Sequence, residues 1–264
     1  MKKGFKIAIA VGCALLALGI VMILISSVLG GSVSWNTTGK VEAASMDIDE
    51  PFSAVEVNEI SADVKIKLST DQRCHIEFGK SEREPLEIKV RDGILTLERK
   101  NKHKLFFISL GVGLQEMDPT VLYLPESTYQ TICVQTVSGD IALESGLSVE
   151  TVELSCVSGD IQVGELTPKA ISLECVSGSI TLEDVCADKK LSCQTTSGDI
   201  LLTRCDAQEI VLESVSGDLL SGLRTAKQVN TDTVSGTVTA PPAQNANGTL
   251  RAETVSGDIT IHMP

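Results

Sequence analysis

From Thr131 onward apolar and polar residues alternate with a period of two, as in "VELSC" from Val152 and "ISLEC" from Ile171. The alternation is rich in β-branched side chains and carries no helical period, so it predicts short, half-buried strands. A Ser-Gly pair closes each run in step, at Gly139, Gly159, Gly178, Gly198, Gly217, Gly236 and Gly257. The intervals are 20, 19, 20, 19, 19 and 21 residues. The flanking columns keep their character. Seven positions before the glycine stand Ile132, Val152, Ile171, Leu191, Ile210, Val229 and Leu250. Two before it stand Val137, Val157, Val176, Thr196, Val215, Val234 and Val255, and two after it Ile141, Ile161, Ile180, Ile200, Leu219, Val238 and Ile259. Strands broken by Ser-Gly-Asp corners at this period describe rungs that bury their aliphatic positions only by stacking. A flat meander of hairpins would pair successive strands antiparallel and would not hold one residue type in every column. The expected fold is therefore all-β: a single-domain parallel β-helix of about 20 residues per rung, taken as right-handed. In it, successive coils lie directly on one another and like side chains form files through a dry interior.

Residues 46–130 lack the Ser-Gly mark but keep the strand pattern. "ISADVKIKL" from Ile60 reads as a rung in which Ala62-Asp63 replaces Gly-Asp. "LEIKVRDGILTLER" predicts a hairpin turning at Asp92-Gly93, and "TVLYLP" a strand broken at Pro125. This region is read as irregular N-terminal rungs and a cap, since a terminal rung left open invites edge pairing. The regular rungs follow at 131–264, and residues 31–45 are read as a polar tether.

The first thirty residues differ in kind. Residues 1–6 are a basic tail, and Ile7–Leu29 is an uncharged apolar run. At about 1.5 Å per residue such a run crosses a hydrocarbon core of about 30 Å as one helix. Residues 7–30 are read as a transmembrane signal anchor, with Lys2, Lys3 and Lys6 favouring a cytoplasmic N-terminus. A cleaved signal peptide competes, but its apolar region would be only about 7–15 residues with a cleavage site close behind. Either reading puts the rest of the chain outside the cytoplasmic membrane.

The order of anchor, "ISADVKI", "VRDGILTLE", "VLYLP" and serial "VSGDI" rungs resembles a bacterial family of unknown function labelled "putative adhesin". The likeness covers roughly residues 50–264. It implies a β-helix in the cell envelope, and relatives linked to envelope-stress signalling add regulation as an implied role. It brings no catalytic residues.

Charge narrows the partners. The chain holds 22 basic and 35 acidic side chains for a net charge of -13, and three of the basic ones lie in the leading tail. A surface this acidic repels phosphate, so nucleic acid is not an expected partner. Catalysis has little to build on. His75, His103 and His262 lie in no motif, and the serine columns have no adjacent base. Polysaccharide-active β-helix enzymes, the rival reading, need aromatic or basic platforms, yet Thr131–Pro264 holds no Phe, Tyr or Trp. No cofactor and no catalytic residue is expected.

The position after the corner glycine holds Asp140, Asp160, Ser179, Asp199, Asp218, Thr237 and Asp258. These residues share a short side-chain oxygen, which can accept a backbone N–H two residues along and close a turn. The structural reading is favoured, with the seven glycines supplying the backbone freedom. The alternative is a weak cation site at Asp140, Asp160, Asp199 and Asp218, where stacked carboxylates repel and calcium would relieve them. Among the cysteines, Cys156 and Cys175 share a column with Thr and Ser, and Cys193 and Cys205 fall in aliphatic columns. All four are read as compact interior residues. A Cys156–Cys175 disulfide is within reach but strained when both side chains point the same way. Cys133 and Cys186 are the expected accessible thiols. "LFFISLGVGL", Leu105–Leu114, is read as a buried strand of the cap or a partner- or membrane-facing loop.

Taken together, these features point to a non-enzymatic extracytoplasmic adhesion or interaction scaffold, single-pass in the cell membrane. Its expected partner is a protein or cell-wall polymer. The competing role is an envelope-stress sensor acting through a membrane partner.

Overall fold

The computed structural model describes residues 41–82, 84–100, 118–242 and 246–264. The tail, the proposed anchor, residues 31–40 of the tether and Leu105–Leu114 lie outside the described residues. Those described form twenty-one strands and no helix.

The chain begins with β1 (Glu42–Ile48), β2 (Ala54–Asn58), β3 (Val64–Leu68) and β4 (Cys74–Lys80). A hairpin follows, β5 (Leu86–Arg91) and β6 (Ile94–Arg99), and then β7 (Thr120–Leu124). From there each coil is a longer strand, a corner and a shorter strand. The coils are β8 (Thr128–Ser138) with β9 (Ile141–Leu143), β10 (Ser148–Ser158) with β11 (Ile161–Val163), and β12 (Ala170–Ser177) with β13 (Ile180–Glu183). Next come β14 (Lys190–Ser197) with β15 (Ile200–Cys205) and β16 (Glu209–Ser216) with β17 (Leu219–Leu223). The last are β18 (Gln228–Ser235) with β19 (Val238–Thr239) and β20 (Thr249–Ser256) with β21 (Ile259–His262).

The longer strands of these coils, with β2, β5 and β6, form a ten-stranded sheet, and the shorter ones, with β1, β3, β4 and β7, an eleven-stranded sheet. Pairing is parallel except for β1 with β4, β4 with β7 and β5 with β6. Register follows the sequence columns. Ile132, Val152, Ile171, Leu191 and Ile210 lie in one file, and Ile141, Ile161, Ile180, Ile200 and Leu219 in another. All of these side chains are buried between the two sheets. Each such burial contributes about 1.5–3 kcal/mol, and none is available to a single coil alone.

"ISADVKIKL" is a rung: β2 and β3 lie between the β8/β9 coil and the β6/β7 coil. The hairpin turns at Asp92 and Gly93, with φ of 53° and 77°. Two positive φ values in sequence make the primed two-residue turn that matches strand twist. One boundary moves. Residues 42–45, read as tether, belong to β1, which pairs antiparallel with β4 and finishes that sheet.

The order of the final coils departs from the expectation of simple succession. The β20/β21 coil sits between β16/β17 and β18/β19, so the last coil in sequence is next to last in space. Side-chain composition accounts for the exchange. Leu250, Ala252, Thr254, Ile259 and Ile261 are at most 2% exposed in the inner place. Their counterparts in the outer coil are Val229, Thr231, Thr233 and Val238, and Val238 is 44% exposed. Placing the more apolar coil inside buries it on both sides, and the coil with threonines meets water at the open edge. Buried Lys227 holds the crossing. Its Nζ donates to Asn247 O at 2.5 Å and Thr225 Oγ1 at 2.8 Å, and it pairs with Asp206.

Candidate interaction edge

The corner glycines line one edge of the stack, in the order Gly139, Gly159, Gly178, Gly198, Gly217, Gly257, Gly236. Two constraints demand glycine, as Gly159 illustrates. Its φ is 143°, in a region closed to side chains, and an added Cβ would lie 2.2 Å from the carbonyl oxygen of Gly139. At these glycines neighbouring corners touch backbone to backbone.

Next to each glycine runs a ladder of side-chain acceptors. Asp63 Oδ1 accepts the Asp140 amide at 2.9 Å, and Asp140 Oδ1 the Asp160 amide at 2.8 Å. Asp160 Oδ1 accepts Ser179 N at 2.7 Å, and Ser179 Oγ accepts Asp199 N at 3.4 Å. The series continues from Asp199 to Asp218, Asp218 to Asp258 and Asp258 to Thr237, at 2.7–2.8 Å. The side-chain oxygen therefore serves the next coil, not an amide two residues along its own turn as the sequence suggested. A hydroxyl fills the place at Ser179, at a longer distance. The Thr237 amide holds the Asp258 carboxyl below its usual range.

The four candidate cation ligands fall on this ladder, Asp140 beside Asp160 and Asp199 beside Asp218. Each already gives one oxygen to an amide, which stabilises its charge without an ion. Among the described residues, no three His, Cys, Asp or Glu side chains are grouped to hold a metal.

A second ladder runs just inside. Thr195 donates to Gly178 O at 3.1 Å, Ser214 to Gly198 O at 3.4 Å, Thr254 to Gly217 O at 3.3 Å and Thr233 to Gly257 O at 3.2 Å. The donor comes from one coil and the acceptor from its neighbour, which explains a buried column of hydroxyl residues. Cys156 and Cys175 occupy it as buried free thiols with their sulfurs 3.0 Å apart. Cys193 and Cys205 are fully buried, while Cys133 and Cys186 are partly exposed.

Outside the corner lies a feature the column alignment left unassigned. The residues two positions before the glycines, six valines and Thr196, point outward; Val137, Val157 and Val234 are 49%, 48% and 59% exposed. Val176, Val215 and Val255 are half-buried in the same file. Two positions earlier stand Gln135, Ser155, Glu174, Gln194, Glu213, Asp232 and Glu253, with Glu213 and Glu253 paired to Arg251, and the Asp ladder borders the other side. The parity was legible, because alternation from buried Ile132, Val134 and Thr136 puts Val137 outside. The apolar identity hid it.

Another cluster sits at the N-terminal end. Arg99 donates from Nε and Nη2 to Glu59 at 3.0 and 2.8 Å, and from Nη1 to Gly79 O at 2.9 Å. Thr120 Oγ1 donates to Glu59 Oε1 at 2.5 Å. Arg99 and Glu59 are buried, with side-chain exposures of 1% and 0%. Arg99 at the end of β6 and Thr120 at the start of β7 thus meet on the Glu59 carboxylate, just after β2.

The Toastrack DUF4097 family model matches residues 52–264, and the chain belongs to that family. Among solved structures, one from Bacteroides fragilis described as a "putative adhesin" is 16% identical with a TM-score of 0.53. It covers 84% of this chain and 97% of its own. It shares the fold. A "putative cell adhesion protein" from Clostridium sporogenes is 13% identical with a TM-score of 0.47, covering 85% of this chain and 100% of its own. A "putative lipid binding protein" from Parabacteroides distasonis is 15% identical with a TM-score of 0.44, covering 86% and 98%. No curated protein matches the chain.

Proposed function

We propose that this Toastrack family member is a non-enzymatic adhesion or interaction scaffold, held at the cell membrane by residues 7–30 with its rungs outside the cytoplasm. The observation that carries the reading is the outward valine file bordered by carboxylates, fixed by backbone-to-backbone corners. An apolar line repeating about every 4.8 Å beside an acidic ladder fits an extended partner that alternates apolar and cationic groups. A protein segment or an amine-bearing wall polymer has that chemistry; nucleic acid does not. The fold shared with the Bacteroides fragilis protein, described as a "putative adhesin", adds support.

The test is crosslinking on intact cells expressing the full chain, followed by mass spectrometry. Changing Val137 and Val157 to Lys should reduce the recovered partner about 10-fold while leaving the rungs folded, since both side chains face solvent. Unchanged recovery would remove this edge from the contact. A second reading is an envelope-stress sensor working through a membrane partner, for which the apolar "LFFISLGVGL" segment, following the buried Arg99–Glu59 pair in the chain, would be the contact. On that reading the valine variants keep their partner, and deleting residues 105–114 loses it.

A further inference from the structure

Cys156 is the one member of the inner hydroxyl-and-thiol column that turns the wrong way. By the pattern of Thr195, Ser214 and Thr254 it should donate down to Gly139 O, the corner of the preceding coil. Instead its thiol points up to Gly159 O at 3.1 Å, a carbonyl that Cys175 already reaches at 3.2 Å. Two thiols share one acceptor, and the sulfurs stand 3.0 Å apart on directly registered residues of adjacent parallel strands. Strands so paired are about 4.8 Å apart, inside the Cα range of about 4.4–6.8 Å that a disulfide spans. Closing the gap to a bonded length near 2.05 Å needs about 1 Å of sulfur movement.

We propose that Cys156 and Cys175 form an intramolecular disulfide when the chain meets a thiol-oxidising environment, covalently joining the β10 and β12 coils. The oxidant is a small-molecule or protein disulfide. One thiol, as thiolate, attacks it and releases a thiol; the second then attacks the mixed disulfide and releases another. Both S–H bonds are lost as protons, one S–S bond forms in the chain, and two electrons reduce the oxidant's S–S bond to two thiols. Cys175 is the better first nucleophile. When the single Cys156 proton turns from Gly159 O to the Cys175 sulfur, it lowers the Cys175 pKa, while the same bond and burial raise that of Cys156. The cost is the loss of both donors to Gly159 O. Thr136, with no partner for its hydroxyl, shows that this column tolerates an unmade bond.

Full-length protein in detergent micelles is equilibrated with oxidised and reduced glutathione, quenched in acid, alkylated and cleaved after glutamate. Glu153, Glu165, Glu174 and Glu183 then place each thiol on its own peptide. The expected product is a linked Cys156–Cys175 peptide pair, at least about 10-fold more abundant than any other cysteine pair. Cys156→Thr and Cys175→Thr, which install the residue natural to the column, remove it. A second arm oxidises the chain during refolding from denaturant, so that burial cannot block the reagent. Separately alkylated Cys156 and Cys175 in both arms, or preferential pairing with Cys133, Cys186 or glutathione, would overturn the proposal.

Discussion

At the N-terminal end, antiparallel strands finish both sheets: β5 closes the longer-strand sheet, while β4 and β1 close the other. Beneath them, Arg99 and Glu59 are buried as an ion pair. At the C-terminal end no antiparallel strand is added among the described residues. The final two coils exchange places, and the one poorer in large aliphatic residues is left facing water. One end is stopped by new geometry and specific polar chemistry, the other by ranking near-identical repeats. Regular columns make coils interchangeable in register, so position along the stack is decided by what each coil gains from burial.

Breaking the buried pair should have the largest effect. Arg99→Met strands the Glu59 carboxylate and is expected to cost about 3–5 kcal/mol in denaturant unfolding. Adding Glu59→Leu should restore most of that. A single variant costing under about 1 kcal/mol would deny the pair its role at this end.

The next effect compares the exchanged coils directly. Ile259→Ala removes a side chain buried in the inner coil and should cost about 2–5 kcal/mol. The same truncation at the equivalent Val238, in the outer coil, should cost no more than about 0.5 kcal/mol. Equal losses would contradict the spatial order, and an inverted ranking would restore simple succession.

The smallest effect lies between the ends, where Arg204 and Arg224 on successive coils donate to Asp184 at 2.8 Å. Their guanidinium groups hold its carboxyl at about 2, below the ordinary value near 4. A depressed folded-state value means the stabilisation is present above about pH 4 and fades as pH falls toward 2. Melting temperatures of Asp184→Asn and the parent should differ slightly above that window and converge below it. A gap that persists at pH 2 would place the effect elsewhere.

Much of the architecture was legible because stacking forces repetition. The columns, the Asp92-Gly93 hairpin and the Ala62-Asp63 rung could each be read from local pattern. The order of the last two coils could not, since parallel pairing requires matching columns and is indifferent to chain succession. Thr231 in a file of Leu154, Leu173 and Leu212, and Pro241-Pro242 in the longest interval, were the available hints. At the edge, residue types showed that an oxygen was needed after each glycine. They did not show that it serves the adjacent coil, because that acceptor–donor pair is about twenty residues apart in sequence. The Arg99–Glu59 pair was hidden for the same reason, its members being forty residues apart.

The exchange also sets a timetable. Residues 228–239 leave the ribosome before residues 249–262, yet in the finished molecule they rest upon them. During synthesis the earlier segment has no permanent seat. It must wait, or dock provisionally on β16 and β17 and be displaced when its neighbour arrives. The place beside β16 and β17 can therefore be filled for good only once Thr249–His262 has been made.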